Sequence, residues 1–426
     1  MFKQTIQRRL EAYVKRYFKK HPEVKLVVVA GSVGKTSTKL AIGRVLAQRY
    51  RVRMHEGNHN AEISAPLAIL GIDFPDNLKS MRQWRAVFGV ARLRIKQPTD
   101  VDVIVQELGT DGIGQLPHFG TYLKPDIAVV TAVSPEHMEF FKTLDAVAAE
   151  ELSVVNFSDT ALINRDDIDG RFAIDLTNGS FNTYGNTAAA EYRFEESDFS
   201  IEKGYSGRII APDMDPIPVE THVLGDGGLK AVTAAASVAL KLGMHADEIA
   251  KGIASVRPVA GRMNMLKGLE NSLIIDATYN SSPLSMNQSL STLYQLQAPQ
   301  KIAVLGDMNE LGDMAAEAHK KAGELCDPSQ LAWVVTVGNM ASSHLAEAAR
   351  KRGCQVRSFS DAIKAGAFVH QVLEPGGIML FQGSETGIFL EEAIKIVLHA
   401  TEDEKQLVRQ SDSWRIRKDA YFDKLP

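Results

Sequence analysis

The sequence predicts an α/β protein built on parallel β-sheets, and three observations carry that expectation. VKLVVVA (24–30), VDVIVQELG (101–109) and DIAVVTAV (126–133) are continuous apolar runs of strand length, as expected for parallel strands buried on both faces. The first run passes through a glycine loop, GSVGKT, directly into a helical pattern from Lys35 to Gln48. After the Pro- and Gly-containing junction VRPVAGR, a second series of strands begins with LIIDATY, KIAVLGDM, WVVTVG and GIMLFQG, each followed by a helical stretch.

At 426 residues the chain exceeds what one hydrophobic core normally supports. The expected order is an N-terminal helix (1–23), a central domain with a parallel sheet (24–258), a Rossmann-like C-terminal domain (259–400) and a charged tail (401–426). Within the central domain, Leu144 to Val155 reads as a covering helix. Short alternating pieces between about Ser180 and Leu224 read as a small antiparallel flap, followed by a helix pair, Leu229 to Leu242 and Ala246 to Ser255. Trp414, Tyr421 and Phe422 are the expected anchors of the tail.

The formal charge of −4, with Lys and Arg interspersed among Asp and Glu, shows no concentrated basic footprint and argues against nucleic acid as partner. Cys326 and Cys354 are too few for a disulfide framework or a four-thiolate zinc site and read as buried, reduced thiols. The first twenty residues are too charged for a signal peptide, and no apolar run approaches a membrane span, so a cytoplasmic enzyme is expected. Ile6, Leu10, Tyr13, Val14 and Phe18 lie near helical spacing among basic residues. Two readings stay open for that stripe: packing on the next domain, or peripheral contact of residues 1–20 with an anionic membrane.

Strand, glycine loop and helix together are the context a phosphate-cradling loop requires. Gly31 and Gly34 let backbone N–H groups approach phosphate oxygens, and the start of the helix, with Ser32, Ser37 and their neighbours, adds its positive dipole end. Lys35 supplies a mobile charge for the terminal phosphates and Thr36 a hydroxyl for Mg²⁺. The longer GxxxxGK[ST] form would need glycine at position 29, where Val29 stands, so the loop is a shorter variant. A cation at a triphosphate needs further oxygen ligands. Glu107, ending a buried strand, is the first candidate, and His137, at the end of the next, is the second.

GSVGKTST, EGNHNAEISAPLAIL, VIVQELG, PDIAVVTAVSPEHMEFF, ALINRDD, VAGRMNM, IIDATYNSSP and VLGDMNELGDMAAEAHKKAG occur in the order and spacing of the Mur ligase family, which the chain resembles from about Val24 to Ala400. GDMNELG followed seven residues later by His319 is most similar to the branch that adds a D-alanyl-D-alanine dipeptide in peptidoglycan assembly. The resemblance implies an ATP- and Mg²⁺-dependent ligase that activates a carboxylate as an acyl phosphate for attack by an amine. It implies Lys35 on the phosphates, Thr36 and Glu107 on one Mg²⁺, His137 on a second, and Arg262 of the GR motif at the γ-phosphate.

Several positions depart from the family pattern. The carbamylated lysine of the family falls at Glu151, which is expected to supply the negative oxygen directly. On the adenine side, Gly227, Gly228 and Ala231 replace a His-Asn and an Asn, while Ala277 replaces a ribose-contacting Asp, leaving Asp276 and Asn280 as the nearest candidates. Gln382 to Glu385, QGSE, reverses the charge of a KGSR-like segment. Residues 1–23 offer no room for the family's UDP-gripping domain, which implies a different acceptor: a lipid-linked muropeptide, a peptide, polyglutamate or folate-like end, or a small metabolite. A separate protein supplying recognition, and a nucleotide-binding subunit that has lost catalysis, are the remaining alternatives.

Overall fold

The computed structural model describes residues 2–424, which fall into two units. The first holds the chain to Ser134 together with Phe140–His222 and Leu229–Val256. Its strands are β1 (Lys25–Ala30), β2 (Val52–Met54), β3 (Val103–Glu107), β4 (Ile127–Val130), β5 (Thr160–Asn164), β6 (Phe181–Gly185), β7 (Tyr192–Ser200), β8 (Gly204–Ile210) and β9 (Ile217–Thr221). They form a single sheet in the order β2-β3-β1-β4-β5-β6-β7-β8-β9. β3, β1 and β4 lie side by side and parallel toward the β2 end of it, with every residue of β3 and β4 buried.

The antiparallel flap expected between Ser180 and Leu224 is present as β7, β8 and β9, continuous with the large sheet. β6 pairs parallel with β5 and β7 parallel with β6, so only β7, β8 and β9 are antiparallel, and they extend the same sheet. Strand direction is set by the pairing partner, and alternation along one strand is blind to it.

The helices of this unit include α1 (Phe2–Lys20), α2 (Lys35–Leu46), α3 (Ser64–Leu70), α4 (Met81–Lys96) and α5 (Gln115–Phe119). After these come α7 (Leu144–Asn156) and α9 (Ala246–Ser255), together with most of α8 (Gly225–Lys241) and the end of α6 (Met138–Phe141), whose first residues count with the second unit. Ser80 and Thr143 cap α4 and α7 by accepting backbone N–H bonds from Gln83 and Ala146, the usual service of a hydroxyl at a helix start. Of the expected apolar stripe of α1, Ile6, Leu10, Tyr13 and Val14 are buried while Phe18 is half-buried next to the buried Tyr17, and Tyr13 meets the Phe88 ring of α4. Those buried side chains are committed to packing within the protein. No helix among the described residues is long and apolar enough to cross a membrane.

The second unit holds Pro135–Glu139, Val223–Gly228 and the chain from Arg257 onward. β10 (Asn264–Lys267), β11 (Leu273–Ala277), β12 (Lys301–Gly306), β13 (Trp333–Val337), β14 (Val356–Phe359) and β15 (Ile378–Gln382) make a sheet in the order β10-β11-β15-β12-β13-β14. All neighbours are parallel except β10, an antiparallel edge on β11. The chain order reverses between β12 and β15, and the loops there are stitched together: Ser384 N–H donates to the Asp307 carbonyl, and Asn309 N–H to Ser384 Oγ.

The tail is bound within this unit. Arg409 donates from both Nε and Nη2 to the fully buried Glu391, and also to the carbonyls of Thr278 and Tyr279. Trp414, Tyr421 and Phe422, on the last helix (Asp412–Phe422), surround Phe389. Cys326 and Cys354 are free and buried, and burial pushes the Cys326 thiol up to about 12.

His319 is fully buried behind β12. Its Nε2 accepts the Met308 N–H at 2.9 Å, so Nδ1 carries the proton, which it donates to the Ala315 carbonyl at 2.7 Å. Burial, opposed by the Ala315 bond and the Asp307 carboxylate, lowers its pKa from the ordinary 6.5. A depressed folded-state pKa contributes stability that is present above the unfolded value and is lost as pH falls. Stability measured by urea unfolding should thus decline below about pH 6.5, by at most about 1.4 kcal/mol per pH unit from this group. His319→Gln should remove that portion of the slope.

Candidate active site

β1 ends at Ala30, and the next four residues turn the chain into α2. Gly31 (φ 122°) and Gly34 (φ 88°) both hold left-handed backbone, and Thr38 N–H closes the first helical turn on the Gly34 carbonyl at 3.0 Å. Ser32 does not point its hydroxyl at the mouth of the loop. It donates to the Ala132 carbonyl and meets Ser134, fastening the loop to the end of β4, so only its backbone remains for a phosphate. Lys35 Nζ curls back over the loop onto the carbonyls of Gly31 and Ser32. Ser37 stays half-buried in the first turn of α2.

Glu107 ends β3 beside this loop and is 2% exposed. Thr36 Oγ1 donates to its Oε2 at 3.0 Å and Asn60 Nδ2 to its Oε1 at 3.0 Å, while Lys39 Nζ stands 3.3 Å from Oε2. The register explains the meeting: Val29 of β1 is paired with Glu107, so the loop after β1 and the carboxylate ending β3 emerge at the same sheet edge. Glu151, on α7, is also buried and accepts the Gly31 N–H at 2.6 Å. Glu107 and Glu151, distant in sequence, are thus brought to the loop that carries Gly31, Gly34, Lys35 and Thr36 within one unit.

Sequence reasoning missed three supporting groups. Lys39 and Asn60 complete the shell of Glu107, and Lys39 also donates to the Gly57 carbonyl, which ties the 55–62 loop down. Glu150 is the second: it accepts N–H bonds from Gly114 and Leu116, at 2.7 and 2.6 Å, and so clamps the loop that follows Glu107. The third is Lys230, whose ammonium lies 2.9 Å from both oxygens of Asp167. Asn60 lies in the family-like EGNHNAE stretch, which is its sequence signal; Lys39 and Lys230 carry no local signal, since each sits in an ordinary helical pattern.

His137 and Arg262 belong to the second unit. His137 has left-handed backbone (φ 50°), and its Nδ1 lies 2.6 Å from Glu310 Oε2. The Arg262 guanidinium stacks on Tyr279, 4.0 Å from the ring centroid. Asp276 corrects an expectation: it is fully buried and its oxygens are occupied, Oδ2 by the Gly261 N–H and Oδ1 by the Thr278 N–H and hydroxyl. Burial raises its pKa against the pull of these hydrogen bonds. It positions the Gly261–Arg262 turn and is not placed to bind ribose. Asn280 is exposed and engages Gln382 through its backbone carbonyl.

Among the described residues there is no cluster of three or more His, Cys, Asp or Glu able to hold a metal by themselves. The pair at the loop offers a hydroxyl and a carboxylate, hard oxygen donors of the kind that bind Mg²⁺ together with phosphate oxygens and water.

The Mur ligase middle domain signature matches residues 29–239, and that of the Mur ligase glutamate ligase domain matches residues 261–385. The UDP-N-acetylmuramoyl-tripeptide–D-alanyl-D-alanine ligase of Bacillus subtilis is 26% identical over 393 residues, spanning 88% of this chain and 76% of that protein. MurF of Acinetobacter baumannii superposes with a TM-score of 0.75 at 21% identity, over 90% of this chain and 79% of that one. MurF of Thermotoga maritima, solved in complex with ADP, gives 0.73 at 22% identity, over 93% and 84%. With both family domains in sequence, a phosphate loop and a carboxylate meeting its helix, the chain belongs to the Mur ligase family and is an ATP-dependent peptide ligase.

Proposed function

We propose that this ligase joins the carboxylate of a muramoyl peptide to the amine of D-alanyl-D-alanine, in the assembly of peptidoglycan peptides in the cytoplasm. The observation that carries the reading is the Thr36–Glu107 contact at the mouth of a left-handed glycine loop, within a chain whose relatives are named for that reaction. The γ-phosphoryl group of ATP moves to a carboxylate oxygen of the acid, giving ADP and an acyl phosphate. The amine nitrogen then bonds to the acyl carbon, the C–O bond to phosphate breaks, and an amide and inorganic phosphate leave.

Phosphoryl transfer needs positioning and charge neutralisation more than covalent chemistry. Backbone N–H groups of the loop and the Lys35 ammonium hold the phosphates. Thr36 and Glu107 would hold Mg²⁺, which when bound neutralises charge on the transferring group. Glu151 takes the part of the family's carbamylated lysine as carboxylate for a second ion; the roles of His137 as a metal ligand and of Arg262 as a cation for phosphate are what the family resemblance implies. The working domains are residues 24–258 and 259–400, preceded by a helical segment and followed by the tail.

The test supplies ATP, Mg²⁺, D-alanyl-D-alanine and either UDP-N-acetylmuramoyl tripeptide or its lipid-linked form, and follows ADP and phosphate release. Release that needs both the acid and the dipeptide supports the reading, and no release with either acid sinks it. Glu151→Ala should lower turnover by about 10²-fold or more, as loss of one charge-stabilising group does. Glu151→Lys should recover activity only when bicarbonate is added. Unchanged turnover in Glu151→Ala would remove the proposed role of that carboxylate.

A further inference from the structure

We propose that the outward faces of α1 and α4 form one surface that docks on an anionic lipid bilayer. The two helices run parallel, side by side: Tyr13 meets Phe88 with ring centroids 5.9 Å apart, the Arg9 guanidinium lies 4.6 Å from the Phe88 centroid, and farther along His21 reaches the Ile95 carbonyl at 3.2 Å. On α1, Arg8, Lys15, Arg16, Lys19 and Lys20 are exposed. On α4, so are Arg82, Arg85, Arg92 and Lys96. Helical periodicity puts Arg16 and Lys20 on the side of α1 that carries Arg9, and Arg85 and Arg92 on the side of α4 that carries Phe88, so these cations line the seam between the helices.

The two helices contain a single acidic residue, Glu11, and it is buried and paired with His118. Lys3 faces Glu62 at 3.9 Å and Arg94 faces Asp100 at 2.8 Å, but among the described residues no ion pair engages the nine exposed cations just named. A protein of net charge −4 thus gathers an uncompensated basic face at one place, which bulk composition conceals. Large apolar side chains stand among the cations: Leu93 is 57% exposed, Met81 47% and Val90 46%. Cations interleaved with exposed apolar groups match an anionic headgroup layer over acyl chains, whereas a nucleic acid backbone would use only the cations. This surface differs from the apolar stripe of α1, which the core consumes.

The experiment is flotation of the full-length protein with vesicles of pure phosphatidylcholine, or of phosphatidylcholine containing phosphatidylglycerol, at low and high salt. Wild type should bind the phosphatidylglycerol vesicles and release at high salt, because exposed charges are screened. The quadruple variant Arg16→Gln, Lys20→Gln, Arg85→Gln, Arg92→Gln should bind more than a hundredfold more weakly, since each basic residue near an anionic surface contributes about fivefold. Leu93→Ser should weaken binding severalfold while leaving its salt dependence intact. Both variants should keep ATP turnover and the wild-type unfolding temperature, which shows that they fold. Equal binding to both vesicle types, or none, overturns the proposal. Duplex DNA bound as tightly as the vesicles and unaffected by Leu93→Ser would overturn it in favour of a general polyanion surface. None of these readouts depends on which acid or amine the enzyme joins.

Discussion

Glu107→Gln is expected to abolish ATP turnover and to destabilise the first unit by about 3 kcal/mol or more, the usual consequence of removing one member of a buried ion pair. The two losses have different origins. Catalysis is lost because a neutral amide is a poor ligand for a divalent cation and cannot neutralise charge beside Thr36, 3.0 Å away. Stability is lost because the Lys39 ammonium, 3% exposed, remains inside without the carboxylate 3.3 Å from it. Adding Lys39→Met to Glu107→Gln separates them: unfolding measurements should recover much of the stability, while ADP release stays at background. Recovery of turnover in the double variant would show that Glu107 serves Lys39 and not the phosphates.

Gly31→Ala should be the most damaging change in the loop itself. A Cβ at Gly31 would lie 2.3 Å from Thr131 Oγ1 and 2.8 Å from the backbone nitrogens of Thr131 and Ala132, and the central strand β4 cannot move to admit it. The left-handed φ of 122° adds strain for any L side chain, so the total reaches roughly 3 kcal/mol or more, and the loop can relieve it only by leaving its present path. That path carries the Gly31 N–H to Glu151 and the loop toward the phosphates, so ATP affinity should collapse with stability. Gly34→Ala is the control. Its φ is 88°, but the nearest atom to an added Cβ is Thr131 Cβ at 3.9 Å, so only the backbone strain of about 1–2 kcal/mol applies. Calorimetric titration with ATP and thermal unfolding of the two variants give the comparison, and equal effects would refute the steric argument.

Much of the fold was legible because burial on both faces leaves a continuous apolar run: Val27 to Ala30, Val103 to Val105 and Ile127 to Val130 are strands where such runs stood. The helix starting at Lys35 was legible for a different reason, since glycines before Lys-Thr mark a turn that only a strand-to-helix passage needs. The short β2 and the edge strands β10 and β14 were not legible. They are three or four residues long, and partner strands distant in sequence induce them. Asp276 misled for a comparable reason, because an acidic residue at a strand end looks the same whether its oxygens face a ligand or, as here, the backbone of Gly261 and Thr278.

The sequence by itself determined the α/β class, the phosphate loop and the order of family motifs, since each is written in neighbouring residues whose period or spacing carries the physics. Only the tertiary structure decided that Glu107 is held by Thr36, Asn60 and Lys39, that Glu151 reaches the N–H of Gly31, and that α1 turns its apolar stripe inward while leaving its cations beside those of α4. Those contacts join residues up to 120 positions apart, and contacts at that range follow from strand register and helix packing, which local patterns leave open.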